Sequence, residues 1–283
     1  MGKSRFLVVA SVVASVFVVT ACGSFEQKEL GSDVSLEGNT IEKEDDKTID
    51  DYSPKENLYL AASVLEKAGS FRTETVGKST SMEIFSNEVY ARRIVCRGEV
   101  FKESKSYPLV KLASQTFVYN GNYLLREMKS MSSISEVVWK DEIEDIGQDE
   151  YLSRYGIVPG GVCAYVLNDD SILSASLIKK SDDGYTFKYE LDNDVATYYI
   201  KREMKCSASL DNLPVFEKIS VTVTMDKEWK IISINYDGIY RVDKFLGITS
   251  TCNETLTEKF YDIGTVTDYP ERALFISHCK SAL

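Results

Sequence analysis

Residue types that serve catalysis are sparse in this chain. The 283-residue sequence contains a single histidine, His278, followed directly by Cys279. A nucleophile needs a base within hydrogen-bonding reach and a third group that orients the base, whereas neighbouring side chains in regular structure point apart. The Gly-x-Ser-x-Gly, His-Glu-x-x-His, Gly-x-x-x-x-Gly-Lys-Ser/Thr and Cys-x-x-Cys patterns do not occur. We therefore expect no enzyme, no catalytic residue, no cofactor and no metal site. Carboxylate pairs of the glycosidase type are recognised only by geometry, so 44 acidic residues leave that alternative open.

Cys22 stands at the end of the first apolar segment. Lys3 and Arg5 precede an apolar run from Phe6 to Val19, and the run ends at Thr20-Ala21-Cys22. Positive residues, a short apolar run and small residues in this order are typical of a secretory signal, and the run is shorter than the roughly 20 residues that span a membrane. The end of the run resembles a bacterial lipobox, whose cysteine thiol takes a diacylglyceryl thioether. We predict Cys22 as the lipid attachment site; an ordinary signal peptide with an incidental cysteine is the alternative.

The predicted lipid determines where the protein resides. Residues 1–21 are the expected signal peptide, and acyl chains of the palmitate kind on Cys22 would hold the mature chain on the outer, extracytoplasmic face of the cell membrane. Residues 22–52 are polar, mostly acidic and without sustained apolar periodicity, which predicts a flexible tether. The acidic residues at 42, 44, 45 and 46 lack the spacing of a hand-like calcium loop.

The charge of the chain bears on its partners. The net charge is −11, and removal of Lys3 and Arg5 with the signal peptide makes it more negative by two. Such an acidic surface disfavours nucleic acid and anionic lipid headgroups as general partners. The expected partners are the membrane, through the lipid, and a lipid or other apolar ligand; we expect a monomer.

Five cysteines follow Cys22, so at least one lacks a disulfide partner. Export permits disulfides. Cys206 ends a predicted helix and Cys252 lies in a nearby predicted strand, which makes them a candidate pair. Buried, reduced thiols that pack as small hydrophobes are the alternative.

Regular structure is predicted from residue 53 onwards. Ser53 with Glu56 forms a capping box, Pro54 suits the first helical position, and Gly69 is a stop signal. Two further helices are predicted at 149–155 and 194–205. A single domain over 53–283 follows.

Period-two alternation dominates the remainder. Strands are predicted over 71–78, 86–102, 185–191, 219–225, 232–242 and 252–260, and Asn120-Gly121 marks a hairpin between 116 and 125. The apolar members of these strands could line a ligand cavity or could simply pack beneath a helix. The candidate ligand-binding residues are Phe117, Tyr119, Tyr185, Phe187, Tyr189, Val221, Val223, Ile232, Ile234 and Tyr236.

The layout over 54–262 resembles a known family. A lipobox, an acidic tether, a helix leading into Ala68-Gly69-Ser70-Phe71-Arg72, and the strands Val221–Asp226, Ile231–Ile234 and Tyr240–Val242 are similar to the lipoprotein-carrier folds of the LolA and LppX type. The resemblance implies an α+β fold: a strongly curved antiparallel sheet, or half-barrel, with helices packed on its concave side around an apolar cavity. No functional residue is carried over, because shape and not fixed residues defines that cavity.

Two functions are compatible with these observations. The first is a membrane-anchored module that binds a lipid or other apolar ligand between sheet and helices. The second is a surface interaction protein with a solid core, which binds a protein or glycan and predicts exposed apolar side chains. A transporter's solute-binding component is disfavoured, since such proteins alternate strands and helices in two lobes.

Overall fold

A computed structural model describes residues 41–81, 85–108, 111–156, 165–208, 210–243 and 249–279. The predicted signal peptide, Cys22 and the tether up to residue 40 lie outside these ranges, so those expectations remain predictions.

Four α-helices occur in the described part of the chain: α1 (Pro54–Ala68), α2 (Gly147–Tyr155), α3 (Tyr198–Ala208) and α4 (Arg272–Ile276). The predicted start of α1 is confirmed. The Ser53 hydroxyl accepts a hydrogen bond from the Glu56 amide while the Glu56 carboxylate accepts one from the Ser53 amide, and Gly69 ends the helix with φ 63°. α3 begins four residues later than predicted, because 193–197 form turns. None of these helices is long and apolar enough to cross a membrane.

The described part of the chain also contains twelve β-strands. Their bounds are β1 Phe71–Ser81, β2 Phe85–Cys96, β3 Glu99–Tyr107, β4 Leu112–Tyr119, β5 Asn122–Met131, β6 Val137–Trp139, β7 Glu144–Asp145, β8 Ile172–Ser181, β9 Gly184–Leu191, β10 Val215–Met225, β11 Ile231–Asp243 and β12 Thr249–Tyr261.

All strands belong to one open, antiparallel sheet in the order β6-β5-β4-β3-β2-β1-β12-β11-β10-β9-β8, with β7 paired to β5. Two sequential meanders, β1 to β6 and β8 to β12, therefore meet where β1 pairs with β12. Ten residue pairs from Arg72↔Tyr261 to Ser81↔Cys252 form this seam. The first long strand is thus completed by the last.

Turn residues divide the first meander into hairpins. Asn120 and Gly121 both have positive φ, 49° and 77°, as a two-residue hairpin turn requires, so the predicted turn is confirmed. Arg97 and Gly98 repeat the geometry at 53° and 75°. The strand predicted over 86–102 is wrong for this reason: the chain reverses at 97–98 and makes two strands.

Helices cover both faces of the sheet. We call front face the side that carries Tyr189, Val221 and Tyr236. α1 packs on its β8–β11 half, and Tyr151 and Tyr155 of α2 pack on Tyr123 and Leu125 of β5. α3 reaches the same face, where Glu203 pairs with Lys102.

We call back face the opposite side. There α4 and its flanks, through Val266, Tyr269 and Phe275, pack on Ile94, Phe101, Phe117 and Leu124. The expectation that the helices share one side is therefore wrong for α4. The C-terminal segment carries the apolar side chains that this half of the back face requires.

The ordered domain begins before Ser53. Ile49, in a 3-10 helix over Ile49–Asp51, is buried, and the Asn57 side-chain amide donates hydrogen bonds to the Ile49 and Tyr52 carbonyls at 3.0 and 3.1 Å. The Ser63 hydroxyl donates to the Ile41 carbonyl at 3.1 Å. Residues 41–52 are therefore part of the domain, and the predicted tether ending at 52 is too long. Ile41 and Ile49 are spaced too widely to give the apolar period that marks a helix or strand.

Candidate functional site on the front face

Seven of the ten predicted ligand-binding residues lie together on the front face. They occupy β9, β10 and β11, and each is at most 4% exposed: Tyr185, Phe187, Tyr189, Val221, Val223, Ile234 and Tyr236. Alternation along these strands is confirmed by the register, which places Val221 opposite Tyr189 and Tyr236, and Val223 opposite Phe187 and Ile234.

The other three residues lie elsewhere. Phe117 and Tyr119 point to the back face, where Phe117 stacks on Phe275 with ring centroids 5.7 Å apart. Ile232 is 43% exposed. A bulge opposite Thr224 and Met225 shifts the alternation, so that Ile231 faces inward in place of Ile232. The prediction that these three line the same site is wrong.

The aromatic half of the front face is filled by the chain's own residues. The Tyr189 hydroxyl donates to the Pro54 carbonyl at 2.8 Å, and the Tyr185 hydroxyl donates to Asp50 at 2.9 Å. The Trp229 indole donates to the Asn57 side chain at 2.7 Å. Burial raises the pKa of Tyr189, so its hydroxyl stays protonated and remains a donor. These residues are core beneath α1.

A row of buried charges crosses the centre of the front face. Glu258 of β12 accepts hydrogen bonds from Arg93 of β2 at 2.8 Å and from the Tyr236 hydroxyl at 2.7 Å. Beside Arg93, Lys102 of β3 pairs with Glu203 of α3 at 3.1 Å. Arg93 and Glu258 are each roughly nine-tenths buried, so each depends on the other for compensation.

Small polar side chains occupy one end of the front face. We call this the serine cluster: Ser79, Ser81, Asn87, Ser106 and Ser250, all at most 3% exposed. Asn87 donates to Ser106, and Ser79 lies 3.4 Å from the Tyr240 hydroxyl. The hydroxyls of Ser81 and Ser250 are buried and have no hydrogen-bond partner among the residues that the structure describes.

An aromatic wall adjoins the serine cluster. Tyr165, Phe216 and Tyr240 lie with ring centroids 6.2 Å (Tyr165 to Phe216) and 5.0 Å (Phe216 to Tyr240) apart. Tyr165 approaches the sheet over Gly238, where an added Cβ would lie 2.9 Å from its hydroxyl oxygen. Burial raises the pKa of Tyr240. The cluster and the wall together offer hydroxyl groups and a flat apolar surface, and all of their side chains are buried.

Alternation alone could not reveal the serine cluster. Gly77, Ser79 and Ser81 follow each other at period two, as do Ser104 and Ser106, and a row of small polar residues resembles a solvated strand face. Burial of that row is a consequence of the sheet's topology, which the strand sequence does not contain.

The predicted Cys206–Cys252 disulfide is not present. Glu203, one turn before Cys206, contacts Lys102, and the row through Lys102 crosses β12 at Phe260. Cys252 lies eight positions further along β12, about 27 Å at the rise of a strand. A disulfide needs Cα atoms within about 7 Å. Both residues are buried, as in the alternative of packed thiols.

Residues that could support catalysis do not converge in the described ranges. His278 is exposed after α4, its Nδ1 lies 2.9 Å from the Leu274 carbonyl, and the Cys279 thiol faces the back-face core. Burial raises the pKa of Cys279, which keeps the thiol protonated. No group of three or more His, Cys, Asp or Glu side chains that could hold a metal ion occurs in this part of the chain.

The chain has a distant likeness to a solved structure. The chain is similar to the LolA superfamily protein NE2245 from Nitrosomonas europaea, with a TM-score of 0.24 and 12% identity, over 75% of this chain and 96% of that one. No family model and no curated protein matches the sequence. A superposition this loose decides neither fold nor ligand, so the fold rests on its own strand pairing.

Proposed function

We propose that this protein is an extracytoplasmic lipoprotein, anchored through Cys22, whose front face holds an amphipathic, lipid-like ligand against the serine cluster and the aromatic wall. The observation that carries the ligand site is the pair of buried, unpartnered hydroxyls on Ser81 and Ser250. On this proposal the protein is a binding module and not an enzyme.

The energetics of buried hydroxyls support a ligand. A buried hydroxyl without a partner costs about 1–3 kcal/mol, and two of them lie on adjacent strands. Both point to the front face: Ser81 lies in the row of Cys252 and Tyr240, and Ser250 lies in the next row, opposite Val242. Polar atoms of a bound molecule would satisfy the two serines, while its apolar part would lie along Phe216 and Tyr240.

A ligand trapped at this site should be recoverable. Native extraction followed by lipid mass spectrometry should yield a defined amphiphile from the wild-type chain. Ser81→Leu replaces a hydroxyl of the cluster with a bulky apolar side chain and should abolish recovery, whereas Thr255→Leu, on an exposed position of β12, should leave it unchanged. An empty wild-type protein, or equal recovery from both variants, contradicts the site.

The unpartnered hydroxyls allow a second test that does not need the ligand's identity. If no ligand binds, Ser81→Ala with Ser250→Ala removes two unsatisfied groups and should raise the free energy of unfolding of the extracted protein. If a ligand bonds to them, the same change should lower it, because the bound ligand stabilises the fold by mass action. Urea titration of wild type and the double variant decides between the two.

The anchor is tested separately. Only a thiol can form the diacylglyceryl thioether, so Cys22→Ser should leave an unlipidated, unprocessed chain that no longer partitions into detergent. Membrane fractionation and analysis of the amino terminus should show this difference. A wild-type chain recovered soluble, with an unmodified terminus at another residue, contradicts the anchor but leaves the ligand site untouched.

One observation favours the second function, a surface interaction protein. β8 is an edge strand, and its exposed side chains include Leu173, Leu177 and Ile178, which are 67%, 45% and 55% exposed. A free strand edge with apolar side chains can accept a partner's strand. A photo-crosslinking residue at Leu173 should then capture a partner that the same residue at Thr255 does not.

A further inference from the structure

A shallow groove of about 200 Å³ lies between the N-terminal segment, α1 and the turn from β10 to β11. Its walls are apolar, formed by Ile41, Leu60, Val64 and Trp229. Trp229 has φ 59°, and its indole donates a hydrogen bond to the Asn57 side chain. Its ring also packs edge-to-face with the Tyr52 ring, with centroids 5.9 Å apart. The groove is therefore fixed by α1 and does not belong to the front-face site.

Three lysines surround these apolar walls: Lys43, Lys67 and Lys227. All three are exposed, and no ion pair within the described ranges uses any of them. The Lys43 ammonium lies 5.2 Å from the centre of the Trp229 ring. Glu228 also borders the groove, but its carboxylate bonds to Lys230 at 2.8 Å. In a chain of net charge −11, this is a local concentration of uncommitted positive charge on an apolar surface.

The groove also lies at the membrane-proximal end of the described chain. Ile41, in its wall, is tied to α1 by the Ser63 hydroxyl and stands nineteen positions after Cys22. A flexible tether of that length, as the sequence predicts, has an r.m.s. reach of about 25 Å. On the proposed anchor, the groove therefore lies within reach of the headgroups.

We propose that this groove binds the headgroup of an anionic phospholipid, with the phosphate among the three lysine ammonium groups and the glycerol along Trp229, Leu60 and Val64. This inference adds a second contact to the proposed anchor. The diacylglyceryl group alone would hold the chain on the membrane, so a basic groove would serve to orient the domain there. The occupied groove would press the domain against the membrane and fix which side faces outward.

Trp229 provides the readout. The chain has two tryptophans, so the full chain with Cys22→Ser and Trp139→Phe reports on Trp229 alone and carries no lipid of its own. Titration with a short-chain phosphatidylglycerol below its micelle concentration should give a saturable change in Trp229 fluorescence. The corresponding phosphatidylcholine should give a clearly weaker one.

Matched charge changes make the test specific. Lys43→Gln, Lys67→Gln and Lys227→Gln together should weaken phosphatidylglycerol binding at least about tenfold. The control is Lys129→Gln, Lys179→Gln and Lys259→Gln, three exposed lysines that form no ion pair within the described ranges, and it should bind as the parent does. Equal weakening by both triple variants, equal binding of the two lipids, or saturation by inorganic phosphate at the same concentration would overturn the proposal. Because the lipid probe is soluble, a failed anchor would leave this result unchanged.

Discussion

Glu258 is a buried carboxylate on the front face that accepts hydrogen bonds from two side chains. Its two oxygens serve Arg93 and Tyr236, which come from strands on either side of the seam. Glu258→Gln keeps a group that Tyr236 can bond to but removes the carboxylate charge that faces Arg93. We expect a loss of about 3 kcal/mol in the free energy of unfolding, measured by urea titration. Glu88→Gln, at an exposed position of β2, should change it by no more than about 0.5 kcal/mol.

The buried tyrosines predict a loss of stability in alkali. Burial raises the pKa of Tyr155, Tyr189 and Tyr269 above the ordinary value of 10.0. A group whose pKa is higher in the folded state contributes stability that is complete below its unfolded pKa and is lost as the pH rises towards the folded value. The free energy of unfolding should therefore fall above about pH 10. Tyr189→Phe should make that fall shallower, and Tyr261→Phe, on an exposed residue, should not.

At the residue scale, the sequence predicts which side chains are buried better than it predicts the face of the sheet to which they point. The alternation of Tyr185, Phe187 and Tyr189 shows which side chains are buried, since β9 has no bulge. It assigns Ile232 to the wrong side because a bulge shifts the count by one. It also cannot show that Phe117 faces α4, because alternation is the same for either face of a sheet.

At the scale of elements, the N-terminal segment decides where the domain begins. A chain starting at residue 41 keeps the burial of Ile49, its hydrogen bond from Asn57 and the bond from Tyr185 to Asp50. A chain starting at 53 loses all three. Removal of one buried isoleucine side chain alone typically costs 2–5 kcal/mol, so the shorter chain should unfold at a distinctly lower urea concentration. Equal midpoints would show that residues 41–52 do not stabilise the domain.

The C-terminal segment is tied to the sheet by charge as well as by apolar contact. Glu99 of β3, only 1% exposed, receives two near-parallel hydrogen bonds from the Arg272 guanidinium at 2.6 and 2.9 Å and one from the Tyr269 hydroxyl at 3.3 Å. Arg92 of β2 also pairs with Glu271, through its Nη2 and Glu271 Oε1. A five-residue helix has too little length for a sequence period, and its partners on β2 and β3 lie about 170 positions earlier, so neither α4 nor its docking was predicted.

For the molecule as a whole, the seam between β1 and β12 determines cooperativity. Gly77 shows how closely the two strands approach, since an added Cβ would lie 2.3 Å from the Thr255 carbonyl oxygen and 2.5 Å from Leu256. The two meanders are therefore closely packed where β1 meets β12. We expect them to unfold together and not as separate units.

Each meander carries one tryptophan, which makes this testable. Trp139 lies in β6 of the first meander and Trp229 in the β10–β11 turn of the second. Trp229→Phe leaves Trp139 as the reporter on the first meander, and Trp139→Phe leaves Trp229 as the reporter on the second. In each variant, the urea midpoint measured by fluorescence should equal the midpoint measured by far-ultraviolet circular dichroism. Two separated transitions would show that the meanders are independent.

Sequence reasoning predicts the hairpins of each meander but not their junction. Asn120-Gly121 and the alternating runs define neighbours that are close in the chain, because turn chemistry is local. Nothing in Phe71–Ser81 marks Thr249–Tyr261 as its partner, and the serine cluster exists only once they pair. The candidate site is therefore a product of topology, while the candidate anchor at Cys22 is a product of local sequence alone.

The pairing of β1 with β12 also determines how late in synthesis or export the sheet can be completed. A chain delivered amino end first, whether from a ribosome or through a pore, presents β1 with one open edge long before its partner arrives. About 170 residues must follow Ser81 before Thr249 becomes available. During that interval the edge is exposed to strands of other nascent chains, so this protein should depend on a holding chaperone until β12 emerges.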